Sequence, residues 1–126
     1  ATPATPPTPS PAGPAVAHVF SKPMYQMSWA DTAKMVAECG YGGIDYTVRK
    51  AQAHVLPAKV REDLPRAIEA AHAAGLAVMP WTVDDPADIA RLIAWGVDGI
   101  CTDRPDVARD VMRNAGLALP PVWPAD

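Results

Sequence analysis

At 126 residues, 49% hydrophobic and 20% charged, the chain has the size and composition of one globular domain with a modest core. A net charge of −3 with only 11 Lys and Arg leaves no basic face, which argues against a nucleic-acid partner. No apolar run approaches the ~20 residues needed to span a bilayer.

The first 14 residues hold six of the 15 prolines. With missing backbone donors and little apolar surface, 1–14 reads as a polyproline-II-like, disordered tail. Such a tail favours a periplasmic or secreted location, with a cytoplasmic protein carrying an interdomain linker as the alternative. Residues 1–14 show no charged and apolar export pattern, so the expectation is that any signal was removed or never existed. The domain proper is expected over 15–121, followed by a short C-terminal tail at 122–126.

From Val16 the punctuation becomes regular. Val16 to Phe20 is a short strand pattern. Ser28, with Asp31 three residues on, resembles a capping box opening a helix through Cys39. Gly40 follows as a C′ residue, and Gly43 to Val48 reads as the second strand. A loop with His54 leads to a helix from about Arg61 to Ala74, with Pro65 near its first turn. Leu76 to Val83 is the third expected strand, and Asp85-Pro86 caps a helix running to Trp95. Val97 to Cys101 is the fourth expected strand, with Asp103 or a neighbour capping a last helix that turns Val107 and Val111 inward. Leu117 to Leu119 has the pattern of a further strand start.

Strands alternating with helices in this way call for right-handed βαβ crossovers and a parallel sheet. The fold class is therefore α/β, a (βα)4 half-barrel of four units or a small open parallel sheet. Four parallel strands leave two unpaired edges and an uncovered inner face, so a homodimer is expected. Cys39 and Cys101 sit in apolar text and are expected as buried free thiols. Neither has a Cys or His neighbour at metal-ligand spacing.

Two stretches resemble known families. Phe20-Ser21-Lys22, GYGGIDYTVR ending at Arg49, His54-Val55-Leu56-Pro57 and Glu62-Asp63-Leu64-Pro65 together resemble sugar phosphate isomerase/epimerase proteins of the xylose-isomerase-like TIM-barrel group. In that group a glycine pair precedes the histidine, where this chain has Ala51-Gln52, a departure affecting the loop. From about His72 to Pro121, Pro80-Trp81-Thr82-Val83, Gly96-Val97-Asp98-Gly99-Ile100 and Thr102-Asp103-Arg104-Pro105 resemble the closing βα units of glycerophosphodiester phosphodiesterases. The two resemblances imply a seam near residue 74, as in a fusion or chimera of barrels.

In barrels of this kind, groups at the C-terminal strand ends face the active site. Those ends offer Lys22, Arg49, Trp81 with Asp84, and Asp103 with Arg104. Cations beside a Trp suit a phosphate-containing small molecule, so Lys22, Arg49, Trp81 and Arg104 are candidate substrate-binding residues. The competing reading makes the cations solvated loop charges, Asp85 and Asp103 helix caps, and Trp81 a filler of the barrel mouth.

Phosphodiester hydrolysis needs an acid/base pair and a cation on the phosphoryl oxygens. The phosphodiesterase resemblance implies His18 and His54 as that pair, Asp45 as a metal carboxylate, and Mg or Ca as the divalent metal. His18 is followed by Val19-Phe20 rather than the family's Arg-Gly, and the family's Glu-Asn motif is absent. His54 fits its isomerase-like surroundings better, while His72 reads as a surface residue. The expected function is thus a glycerophosphodiesterase-like site, incomplete or degenerate. The alternatives are an isomerase/epimerase relative and a non-catalytic, self-associating half-barrel that binds anions.

Overall fold

Short apolar runs between helix-ending glycines build a parallel sheet with helices packed on one face. The computed structural model describes residues 17–121; the expected tails at 1–14 and 122–126 lie outside the described residues. In chain order the elements are β1 (His18–Phe20), α1 (Trp29–Glu38), β2 (Gly43–Asp45), α2 (Val60–Ala73), β3 (Ala77–Val78), α3 (Pro86–Ala94) and α4 (Pro105–Asn114). Single 3-10 turns at Lys22–Met24 and Pro57–Lys59 precede α1 and α2. The sheet order is β1-β2-β3, all parallel. His18, Val19 and Phe20 pair with Gly43, Ile44 and Asp45, and Gly43 and Ile44 with Ala77 and Val78.

The helix starts follow from local chemistry. Ser28 Oγ accepts the Asp31 amide at 3.0 Å. The Asp85 carboxylate accepts the amides of Ala87 and Asp88 at 2.8 and 3.1 Å. Each satisfies a donor that a helix N-terminus otherwise leaves unpaired. At the end of α2, Gly75 has φ +77°, a conformation that costs a residue with a Cβ but not glycine. Helix α2 begins at Val60, so Pro65 lies in its second turn rather than its first. There it removes the N–H that would bond the Arg61 carbonyl.

Side chains alternate across a strand, and the two faces of this sheet differ sharply. Ile44, Val78 and Leu76 point to the helices and are buried with Ala33, Val36, Ala67, Ile68 and Leu92, with Val19 packed against them. Fully burying side chains such as Ile44, Ile68 and Ile89 contributes about 1.5–3 kcal/mol each. The opposite face carries His18, Phe20, Asp45 and Met79, and among the described residues no helix covers it. Phe20 and Met79 are exposed there.

The expected fourth strand at Val97–Cys101 does not form among the described residues, and the third stops at Val78. The segment does run beside β3: the Asp98 amide donates to the Val78 carbonyl at 2.9 Å and the Cys101 amide to Pro80 at 3.0 Å. One return bond forms further along, from the Val83 amide to the Cys101 carbonyl at 3.1 Å, but those nearer β3 are missing for two reasons. The Val78 amide donates at 2.8 Å to the Asp98 carboxylate instead of to a backbone carbonyl, and Pro80 has no N–H at all. With half a ladder, the segment is aligned without being a strand.

Three smaller expectations are corrected. Asp103 does not cap α4; Thr102 Oγ1 accepts the Arg104 amide at 3.0 Å, and the Asp84 carboxylate holds both the Thr102 hydroxyl and the Asp103 amide at 2.8 Å. Cys39 and Cys101 are free but exposed rather than buried, because one closes α1 at its surface and the other lies on the incomplete outer segment. Leu117 begins no strand and is exposed. Val107 and Val111 are half-buried as α4 packs on α3.

Candidate functional site

A cleft of about 650 Å³ opens at the C-terminal ends of the strands. Its walls include Phe20 from β1, Asp45 at the end of β2, Arg49 from the loop after it, and Trp81 after β3. Asp84, Asp85, Asp88, Arg91 and Trp95 close the side formed by α3 and its leading loop. Strand alternation places two of these: Phe20 and Asp45 are cross-strand partners on the face opposite the helices. The Phe20 and Trp81 rings stand 5.5 Å apart at 54°, within the range of favourable aromatic pairing.

Asp45 is half-buried among these rings. Desolvation pushes its carboxyl up to about 7, with the Trp81 side chain as a hydrogen-bond partner pulling the other way. No cation lies within ion-pair distance of it among the described residues. Asp84 is occupied by Thr102 and Asp103, Asp85 by the α3 amides, and Asp88 by Arg91 at 2.9 Å.

The sequence candidates therefore divide. Asp45, Arg49 and Trp81 come together in the cleft, while Lys22, Arg104, His18 and His54 do not line it. Arg104 makes a two-pronged pair with Asp106, at 3.1 and 2.9 Å, on the surface. Lys22 is exposed on the 3-10 turn after β1. His18 lies on the helix-free face, its ring directly over Gly43, where any Cβ would collide with it.

His54 is buried on the other side of the sheet. Its Nδ1 is 2.9 Å from Ser21 Oγ and its Nε2 3.2 Å from Thr32 Oγ1. Ser21 Oγ also accepts the Thr47 amide at 2.9 Å. Trp29 donates to the His54 carbonyl at 2.9 Å, and the Tyr46 ring meets the imidazole edge-on. Burial lowers the imidazole's proton affinity, opposed by hydrogen bonds with the Met24 and Met27 backbone. Both ring nitrogens are thus engaged in holding the loop to β1 and α1, and the expected His18/His54 acid/base pair is not assembled.

A divalent metal does not fit the residues described. No group of three or more His, Cys, Asp or Glu converges to hold an ion among them. Asp45 offers one carboxyl where Mg or Ca wants about six or more oxygens.

Sequence reading missed Arg91 and Trp95 as cleft residues. Arg91 sits in the last turn of α3, and nothing in the text around it marks which helix face meets a cleft. His72, read as a surface residue, is exposed and pairs with Asp98 at 2.8 Å.

Residues 12–107 match the model of the glycerophosphoryl diester phosphodiesterase family. The match runs unbroken across residue 74, so neither a seam nor a chimera is needed there, and the isomerase resemblance finds no support. The glycerophosphodiester phosphodiesterase of Caldanaerobacter subterraneus subsp. tengcongensis is 40% identical over 53 residues, 42% of this chain and 22% of that protein. The Mycobacterium tuberculosis protein named probable glycerophosphodiester phosphodiesterase 2 is 48% identical over 52 residues, 41% of this chain and 20% of its own length. Those matched stretches amount to about a fifth of either relative.

Among solved structures, a protein described as a glycerophosphoryl diester phosphodiesterase, from Silicibacter pomeroyi DSS-3, superposes with a TM-score of 0.58 at 28% identity. The alignment covers 86% of this chain and 34% of that one. A glycerophosphodiester phosphodiesterase from Parabacteroides distasonis shares the fold, with a TM-score of 0.57 at 24% identity over 81% of this chain and 36% of its own. Because the family model matches residues 12–107, most of this chain, the chain belongs to the glycerophosphoryl diester phosphodiesterase family.

Proposed function

We propose that the cleft at the strand ends binds glycerophosphodiesters, and that the chain by itself hydrolyses them weakly at most. The observation that carries this is the convergence of Arg49, Trp81 and Asp45 in one open cleft of about 650 Å³. Arg49 supplies a planar set of donors for phosphoryl oxygens, and the exposed Trp81 face offers apolar area to the glycerol or alcohol portion. The glycerophosphodiester phosphodiesterases that the chain resembles supply the substrate class.

Weak turnover follows from what the cleft lacks. His54 is locked in the core and His18 stands outside the cleft, so no imidazole is placed to move a proton. Loss of one acid or base costs about 10²–10⁴ in rate. The test is a coupled assay for glycerol 3-phosphate on the purified chain, with Mg²⁺ or Ca²⁺ added. The expected result is little or no release, unchanged by His54→Ala per folded molecule. Robust turnover abolished by His18→Ala or His54→Ala contradicts it.

A second reading rests on a different observation. Phe20, Met79 and Trp81 expose apolar surface on a sheet face without helices, whereas parallel sheets are covered on both faces. A second copy of the chain, facing the first, would cover that surface and pair the open strand edges.

A further inference from the structure

The cleft contains one carboxyl group that no cation accounts for; its partner is the Trp81 side chain. Arg49 and Arg91 face Asp84, Asp85 and Asp88 across it, two cations against three carboxylates before Asp45 is counted. Of the three, each is already tied to an amide, a hydroxyl or an arginine. Asp45 instead lies across the strands from Phe20, takes a hydrogen bond from the Trp81 side chain, and has no cation at ion-pair distance among the described residues. An ionised Asp45 would add a further negative charge to a cleft meant for an anion.

We propose that Asp45 meets the ligand as a neutral carboxyl that donates a hydrogen bond to a phosphoryl oxygen, and not as a metal-binding carboxylate. This rests on the reading of the cleft as a phosphodiester site. Three features support it. The group is half-buried with no cation against it, which disfavours the charged form, and the one donor from Trp81 can be accepted by one carboxyl oxygen while the other carries the proton. Arg49, on the loop leaving the same strand, can take a second oxygen of the same phosphoryl group. Burial also holds the proton on Asp45 up to about pH 7, so donor and acceptor states interchange near neutrality.

The other groups able to titrate around Asp45 are few. His18 lies two residues before Phe20 on the same face of β1, Lys22 follows β1 outside the cleft, and Cys101 is on the outer segment beyond β3. The loop after β2 contributes Arg49, the loop after β3 Asp84 and Asp85, and α3 Asp88 and Arg91. His18 shares this face of the sheet, so the experiment must isolate Asp45.

Asparagine has the shape of a protonated aspartate and cannot ionise. Isothermal titration with glycerophosphoglycerol, whose single charge is constant between about pH 5 and about pH 9, is compared at the two ends of that range for the native chain, Asp45→Asn and Asp45→Ala. Affinity of the native chain should fall about ten-fold or more as pH rises, the effect of losing one charge-sensitive contact. Asp45→Asn should lose that dependence, and Asp45→Ala should bind weakly throughout. A native affinity that is flat with pH, a dependence that persists in Asp45→Asn, or Ca²⁺ binding abolished by Asp45→Asn overturns the inference while leaving the phosphodiester reading intact. Absence of binding by every variant at every pH overturns both.

Discussion

Gln52 is the one described residue other than glycine with a positive φ, at +51°. The left-handed region costs an L-residue about 1 kcal/mol. Glycine's greater freedom in the unfolded chain offsets part of that, so Gln52→Gly is expected to raise stability by about 0.5 kcal/mol, read as a higher urea midpoint with an unchanged slope. A lower midpoint would show that the Gln52 side chain contributes more than its backbone costs.

The two histidines separate at the same scale. His54→Ala empties a buried site and leaves Ser21 and Thr32 hydroxyls without the imidazole, so it should cost about 2–4 kcal/mol. His18→Ala removes a ring lying on the open face over Gly43 and should cost under about 1 kcal/mol. Chemical denaturation of both variants checks this, and equal losses would contradict the assignment. The pH effect has a definite sign. His54 binds its proton less readily folded than unfolded, so its contribution is present above the ordinary histidine range near 6.5 and is lost as pH falls through its lowered folded value. His54→Gln should flatten that acid-side loss.

Elements were legible where a single residue type decides them. The Ser28 and Asp85 caps and the glycine after each helix could be read directly, because each satisfies or permits one backbone geometry. The fourth strand could not. Its apolar run Val97 to Cys101 has the right pattern, but a strand also needs donors on its neighbour, and these are removed by Pro80 and diverted by the Asp98 carboxylate. The site was legible to the same depth. Alternation put Asp45 and the strand-end Trp81 on the cleft side, and the loop cation Arg49 joined them. Arg104 was lost to Asp106 two residues away, a pairing that sequence permits but does not require. His54 was misassigned because a histidine after a strand reads alike in a cleft and in a core; only its Ser21, Thr32 and Trp29 partners, distant in sequence, tell them apart.

For the whole molecule, the face bearing Phe20, Met79 and Trp81 governs association. The chain is expected to form dimers at micromolar concentration by light scattering, and Met79→Glu should shift it toward monomer with its circular dichroism intact. Met79 packs against Gly99 on that face and remains exposed. A native chain that is monomeric and cooperatively folded would contradict the dimer.

The claim that the strand-end cleft is the ligand site is tested most directly by nuclear magnetic resonance with glycerophosphoglycerol added to the labelled chain. The account predicts that the shifted signals are the amides around Asp45 and Arg49 and the indole N–H of Trp81, with those around His54 and Arg104 unmoved. Shifts centred on His54 or Arg104, or none at saturating ligand, would contradict it.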